Sequence, residues 1–310
     1  MKQILYIGDI NVDVIMGGLE SFPVVDREIT CTRFEVTMGS TAVIGACTFA
    51  ALGGHAAFLG LAGLDDYGEF MLSGMRKFGV DVSRVRRTDA VRTGVTVNLI
   101  HARTRSQITY PGTIAAFDGA DVTPAVFEGS RHAHFAGPYL QARFRPHITR
   151  LLEAARDAGV TTSLDPQWDA GETWTYMDEW LPLLTYFFCN ADEAMSITGT
   201  ATPTAAGHAL AQQTACPLVK LGRAGVLAMR EGRPQTIPTY RAEVVDTTGA
   251  GDVFAAAFLF AVMERGADIV AAAAFGNAAA ARSCTFVGGV TARSTAEDVT
   301  VFMGREHERI

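Results

Sequence analysis

Asp246-Thr247-Thr248-Gly249-Ala250-Gly251-Asp252-Val253-Phe254 is the stretch on which the reading of this chain turns. A glycine-rich turn runs into an apolar segment in which Val253, Ala256, Ala257, Phe260 and Ala261 fall on one helical face. The first N–H groups of a helix have no intrahelical partner, and the helix dipole places positive potential behind them, so such an end attracts anions. Glycines let this backbone approach a phosphate without a Cβ in the way. An aspartate in the first turn, here Asp252, can then face a bound phosphate and an acceptor hydroxyl. The same residues also fit a plain tight turn, with Asp252 as a favourable first-turn acid. On either reading an aspartate at a helix N-terminus is expected to have its pKa lowered. The segment is neither Gly-x-x-x-x-Gly-Lys-Ser/Thr nor Gly-x-Gly-x-x-Gly.

Outward from this turn the chain has a strand–helix rhythm. Strand-like runs stand at 132–135, 160–164, 186–189, 217–221, 226–229 and 235–238, and helical patterns at 146–158, 191–198, 204–213, 251–265 and 267–284. Nearer the N-terminus, 3–7 and 56–61 read as strands, 41–52 and 67–78 as helices. This alternation predicts a mostly parallel sheet covered by helices on both faces. The extended segments 11–16, 28–37 and 95–110 break the rhythm. They predict a small β-sheet lid, with 95–101 and 107–110 as a hairpin joined by a basic turn at 102–106.

Of 310 residues, 48% are hydrophobic and 19% charged, enough for a large core and against disorder. The net charge of −7 argues against a nucleic-acid partner. The alanine-rich stretch 250–287 is interrupted by Glu264, Arg265, Asp268 and Arg282, so it reads as core helices rather than a membrane span. Residues 1–8 lack the pattern of a signal peptide, and five scattered cysteines suit reduced thiols, so a cytoplasmic location is expected.

Asp-Thr-Thr-Gly-Ala-Gly-Asp at 246–252 resembles the C-terminal signature of the PfkB, or ribokinase-like, carbohydrate kinases. Other parts of that pattern occur in order: Gly8-Asp9-Ile10-Asn11-Val12-Asp13, Met38-Gly39-Ser40-Thr41-Ala42, Asn190-Ala191-Asp192-Glu193, Lys220-Leu221-Gly222-Arg223-Ala224-Gly225, and Asn277. The resemblance implies one Rossmann-like α/β domain over 1–310, with lid strands from about 11–37 and 95–112. It implies an ATP-dependent kinase of a sugar-like hydroxyl, with Asp252 as general base and the N–H groups of Gly249, Ala250 and Gly251 as anion hole. Asp9, Asn11, Asp13, Gly39 and Ser40 would hold the acceptor, and Asn190, Lys220, Gly222, Gly225 and Asn277 the nucleotide. Glu193, with Asn190, would act on Mg²⁺ through water. Asp246 and Thr248 would line a monovalent-cation site, for potassium, through backbone carbonyls.

Plainer alternatives stand beside these roles. Asn190 and Glu193 have the spacing of a helix capping box, which is compatible with the metal role. Asp9, Asn11 and Asp13 also fit a polar strand end, although three polar side chains there need partners that ligand hydroxyls would supply. Asp165, at another strand end, faces the cleft or bonds the following turn. His132 and His134 read as structural.

Two departures from the family pattern concern the acceptor. Met38-Gly39 stands where many relatives have Gly-Gly, and Val43 where many have an asparagine that bonds the sugar. Valine offers no hydrogen bond, which points away from ribose itself. A nucleoside kinase, with Val43, Phe22 and the hairpin forming an apolar patch for a base, is the alternative within the family. A catalytically silent nucleotide- or sugar-binding regulator is the alternative outside the enzymes. Exposed strand edges on a small lid predict a homodimer.

Overall fold

The computed structural model describes residues 3–102, 104–230, 232–290 and 293–304. The first half of the chain gives β1 (Gln3–Ile7), β2 (Asn11–Gly17), β3 (Arg33–Met38), α1 (Thr41–Ala51), β4 (Ala56–Leu59), β5 (Leu61–Gly63), α2 (Asp66–Phe78), β6 (Arg86–Thr88), β7 (Gly94–His101), β8 (Thr104–Tyr110), α3 (Thr113–Ala116) and β9 (Ser130–Ala136). The second half gives α4 (Ile148–Asp157), β10 (Thr161–Asp165), α5 (Met177–Trp180), β11 (Tyr186–Asn190), α6 (Ala191–Thr198), α7 (Pro203–Leu210), β12 (Pro217–Lys220), β13 (Val226–Arg230), β14 (Arg233–Ile237), α8 (Ala250–Arg265), α9 (Ile269–Ser283) and α10 (Ala296–Gly304).

Eight strands form the main sheet in the order β14-β13-β12-β11-β10-β9-β1-β4. The six from β4 to β12 are parallel, and β13 and β14 close the edge antiparallel. Alternation along β1 divides the core: Ile4 and Tyr6 join α1, α8 and α9 on one face, while Leu5 and Ile7 join α4 and the Trp180 cluster on the other. Each face is a separate apolar cluster, as expected of a sheet sandwiched between helices.

A second sheet, in the order β3-β2-β7-β8, grows from the carboxyl end of β1 through Asp9 and Ile10. Strand β2 runs parallel to β7, and β3 and β8 pair antiparallel at the edges. One face of it is polar, carrying Asn11, Asp13, Thr96 and Asn98. The other carries Val14, Met16, Phe34, Val36, Val97 and Ile108.

Several expectations are corrected. β3 begins at Arg33, not near residue 28, and β8 already begins at Thr104, inside the expected turn, whose Arg103 lies outside the described residues. Helix α8 has no single apolar face: every residue from Val253 to Ala261 is buried, because α1 and α9 flank it. The cysteines are free thiols, with Cys47, Cys189 and Cys216 buried. Among the described residues no helix is long and apolar enough to cross a membrane.

Candidate active site

Open α/β sheets bind ligands outside the carboxyl ends of their strands. Here those ends present Asp9 after β1, Asp165 on β10, Asn190 on β11 and Lys220 on β12. The glycine turn that opens α8 completes the set.

Asp9, Asn11 and Asp13 form one connected polar group with the loop before α1. The Ser40 hydroxyl donates to the Asp9 carbonyl at 2.7 Å and lies 3.2 Å from its carboxylate Oδ1. It also caps α1 by accepting from the Val43 N–H. Ser40 adopts a left-handed φ of 71° to do so, a conformation with a real cost for a residue bearing a Cβ. Asn11 Nδ2 donates to Asp13 Oδ1 at 3.1 Å and to Thr96 Oγ1 at 3.3 Å. Gly39 is required by proximity: a Cβ there would lie 2.5 Å from Asp13 Oδ1 and 2.7 Å from Asn11 Nδ2. Burial pushes both carboxyls up to about 6, against the hydrogen bonds from Ser40 to Asp9 and from Asn11 to Asp13.

Asp165 is buried and paired. Its Oδ2 accepts from Lys220 Nζ at 2.6 Å, and the pair is almost enclosed, with side-chain exposures of 3% and 17%. The ammonium also rests on the glycine turn, 3.1 Å from where a Cβ on Gly251 would be. Burial works to strip the Lys220 proton, but Asp165 and Glu193 outweigh it and hold the group above its ordinary range.

Asp252 departs from expectation. Its carboxyl is pushed up to about 8, foremost by burial and next by the Asp165 charge, with Asp9 and Glu193 adding and Lys220 opposing. Burial in the cleft floor, with three further acids beside it, outweighs the favourable potential of the helix N-terminus. Gly249, before it, has φ 75°, and a Cβ there would meet Gly289 and Ile44.

Asn190 and Glu193 make the capping box in full, each accepting from the other's N–H at 2.8 Å. Glu193 is buried, and burial followed by the Asp165 charge raises its pKa. Among the described residues no three His, Cys, Asp or Glu side chains are grouped to cage a metal. Three crowded acids, Asp165, Glu193 and Asp252, face one ammonium, and this surplus of negative charge fits a divalent cation that keeps most of its waters. At the start of the turn, the Asp246 carboxylate accepts from Thr248 N–H, Thr248 hydroxyl and Gly288 N–H at 2.7–2.9 Å. Burial acts against its ionisation, but these donors keep its carboxyl below the usual range.

A cleft of about 930 Å³ leads away from the turn, and Lys220, Gly222, Gly225, Ala250, Gly251 and Asn277 all line it. Asn277 commits both amide hydrogens to the carbonyls of Ile237 and Pro238, so it anchors the wall rather than offering a donor. Gly225 is needed where the turn crosses the end of β14, since a Cβ would lie 2.1 Å from the Ile237 carbonyl. His132 and His134 are structural: both are buried, His132 bonded to Thr161 and Ser163 and His134 to Ser163 through Nδ1. Val43 lies wholly in the core, so the apolar patch expected for a base does not form around it.

Sequence reasoning passed over the polar face of the small sheet. Thr96 bonds Thr109 at 3.1 Å, and Gln107 donates to Asn98 at 2.9 Å. The alternation Val95-Thr96-Val97-Asn98-Leu99 carried that signal, since buried polar residues on one strand face need partners.

Comparison with known proteins agrees with this fold. The family model described as pfkB family carbohydrate kinase matches residues 1–296. The chain is 28% identical to 2-dehydro-3-deoxygluconokinase of Bacillus subtilis, over 84% of this chain and 85% of that protein. It is also 28% identical to aminoimidazole riboside kinase of Salmonella typhimurium, over 98% and 95%. The structure of Arabidopsis thaliana ribokinase complexed with ribose and ATP superposes with a TM-score of 0.85 at 24% identity, over 98% of this chain and 99% of that one.

Proposed function

The chain belongs to the pfkB family of carbohydrate kinases, and on that premise we propose that Asp252 and the turn before it transfer the γ-phosphoryl group of ATP to a hydroxyl of a sugar-like acceptor. The enzyme is thus a phosphotransferase with an alcohol acceptor. The observation that carries the reading is the convergence on Asp252. The acceptor-side acid Asp9 and the Asp165–Lys220 pair act on that one carboxyl, which directly follows the glycine turn on which Lys220 rests.

Asp252 takes the proton of the acceptor hydroxyl as the oxygen attacks phosphorus. The N–H groups of Gly249 and Gly251, with Lys220 beside them, stabilise charge on the phosphoryl oxygens, joined by the Ala250 N–H once it leaves the Thr247 carbonyl to which it donates at 3.2 Å, and Asp165 holds Lys220 in place. Asp9, Asn11 and Asp13 orient the acceptor through its hydroxyls. Their raised pKa values mark carboxylates lacking enough partners until a ligand supplies them. The nucleotide base lies in the 930 Å³ cleft toward Asn277. Glu193 and Asn190 would hold Mg²⁺ through water, and that ion would neutralise charge on the ATP phosphates. A potassium ion beside the 246–248 turn belongs to the same reading, tested by replacing potassium with sodium.

The apolar outer face of the small sheet supports a homodimer: Phe34, Ile108 and Tyr110 are each at least half exposed there. Free thiols suit a reducing, cytoplasmic setting.

The experiment is ATP consumption with 2-dehydro-3-deoxygluconate, ribose and aminoimidazole riboside. They are an acidic, a neutral and a base-bearing acceptor, drawn from the proteins this chain resembles. Acceptor-dependent ADP release supports the reading. Nucleotide binding without turnover of any of them supports a silent regulator instead.

A further inference from the structure

The carboxyl end of β9 carries a polar side chain for which the reaction described above has no use. β9 lies between β1 and β10 in the main sheet, so its end stands between Asp9 and Asp165. Gly137 follows it there, with its N–H donated to the Asp165 carbonyl at 3.0 Å and a left-handed φ of 61°. Its chain neighbours aside, a Cβ on Gly137 would come within 4 Å of two atoms among the described residues, Asp9 Oδ1 at 3.5 Å and Gln141 Nε2 at 3.9 Å. The space over Gly137 is thus a small niche walled by a carboxylate and an amide. Gln141 is 1% exposed. Its Nε2 donates to the carbonyls of Ala136 at 2.8 Å and Gly137 at 3.0 Å, which commits both amide hydrogens. Two carbonyl partners also fix which end of the amide is nitrogen, since an oxygen there would face two acceptors. The other end, Oε1, is buried and has no hydrogen-bond partner among the described residues. A buried acceptor without a donor is costly, and a ligand or a water must supply one. Asp9 has a similar need, because the Ser40 hydroxyl shares its one hydrogen between the Asp9 carbonyl and Oδ1.

Resting on the kinase reading above, we propose that Gln141 is a specificity-determining residue: the niche over Gly137 receives a pair of neighbouring hydroxyls of the acceptor, one donating to Gln141 Oε1 and the other to Asp9. The competing role is to hold the turn after β9, with a trapped water on Oε1. Two observations favour the acceptor. The orphaned oxygen belongs to the amide that borders the acceptor-side carboxylate, and Gly137 leaves the space between them unfilled. Both walls offer only hydrogen-bond acceptors, since the amide hydrogens are committed to carbonyls. The niche therefore favours a group that donates and disfavours an ether oxygen, a methylene or a carboxylate in the same place, each of which would leave Oε1 unpaired. Gln141 supplies on this wall the hydrogen bond that Val43, enclosed in the core, does not offer.

The test compares Gln141→Met and Gly137→Ala with the parent enzyme. The probes are ribose, aminoimidazole riboside and 2-dehydro-3-deoxygluconate, each with its monodeoxy analogues. Binding is measured by calorimetry without ATP, and turnover by ADP release. Gln141→Met keeps the length of the side chain and removes its oxygen. It is expected to weaken the acceptor that the parent binds best by about three- to tenfold, in affinity and in kcat/KM, with the KM for ATP unchanged. The analogue lacking the hydroxyl that reaches Oε1 should lose nothing further in the variant, which identifies that hydroxyl. In Gly137→Ala the new methyl meets Asp9 and Gln141 at ordinary contact distances, so it fills the niche without displacing them. Acceptor affinity should then fall by about ten- to a hundredfold while ATP binding stays. Equal losses for the acceptor and all of its monodeoxy analogues would leave Gln141 holding the turn alone and overturn the proposal. So would parental affinity in Gly137→Ala, or a parent enzyme that binds none of the probes. Gln141-dependent binding without acceptor-dependent ADP release would instead support the subsite and count against the kinase reading.

Discussion

Replacing Asp9 by asparagine is expected to make the unliganded protein more stable at neutral pH while impairing its use of the acceptor. The amide keeps an acceptor oxygen for the Ser40 hydroxyl, which lies 3.2 Å from Oδ1, and removes only the charge. The Asp9 carboxyl is raised from 3.8 to about 6, so between those pH values the folded protein binds more protons than the unfolded chain. Stability then falls as pH rises through that window, and above it the ionised group costs the fold roughly 3 kcal/mol. Below about pH 4 the carboxyl is protonated in both states and the cost vanishes. Part of the gain is offset, because a charge-assisted bond to Ser40 becomes a neutral one, a loss of about 1 kcal/mol. The expected net effect at pH 7.5 is a stabilisation of about 1–3 kcal/mol, shrinking toward zero at pH 4. Unfolding midpoints of parent and variant at the two pH values measure it. A variant less stable than the parent at pH 7.5, or a difference that does not change with pH, refutes the claim that this site holds a carboxylate short of partners.

Other expectations concern the same cleft. Glu193→Gln preserves the capping geometry, so it should leave the unfolding midpoint nearly unchanged while raising the Mg²⁺ concentration for half-maximal rate. An unchanged magnesium titration would leave Glu193 with the cap alone. Asp13→Ala should lower kcat/KM for the acceptor by about ten- to a hundredfold and spare ATP binding. Weakened ATP binding with an intact acceptor would reverse the assigned orientation of the cleft. Light scattering at micromolar concentration should give twice the chain mass, and Ile108→Glu, on the exposed apolar face, should shift it toward the monomer. A monomeric parent contradicts the dimer.

Much of this was legible in the sequence because its signals are local. The runs around β9 to β12 carry the alternation of a buried parallel sheet, and Asn190-x-x-Glu193 announces its own cap. The glycine turn was readable because Gly249 and Gly251 stand where a Cβ would strike Gly289 or Lys220. What escaped depends on distant neighbours. Strand β6 is only Arg86–Thr88, with no apolar alternation, and it exists because it pairs with Leu61–Gly63. The one-sided face expected of α8 failed because α1 and α9 bury its other sides. The expected depression at Asp252 failed for the same reason. Its burial, and the approach of Asp165, Glu193 and Asp9 from distant parts of the sequence, exist only in the fold.

The central claim is that Asp252 removes the acceptor proton, and the kinetics of Asp252→Asn with any acceptor that the parent enzyme turns over test it most directly. The expected kcat is lower by about 10²–10⁴-fold, with ATP binding intact. In the parent enzyme kcat/KM for the acceptor should rise with pH toward the value of about 8 at which Asp252 ionises, and that rise should be absent from the variant. A variant with near-parental kcat, or one that keeps the same pH-dependent rise, would show that another group takes the proton.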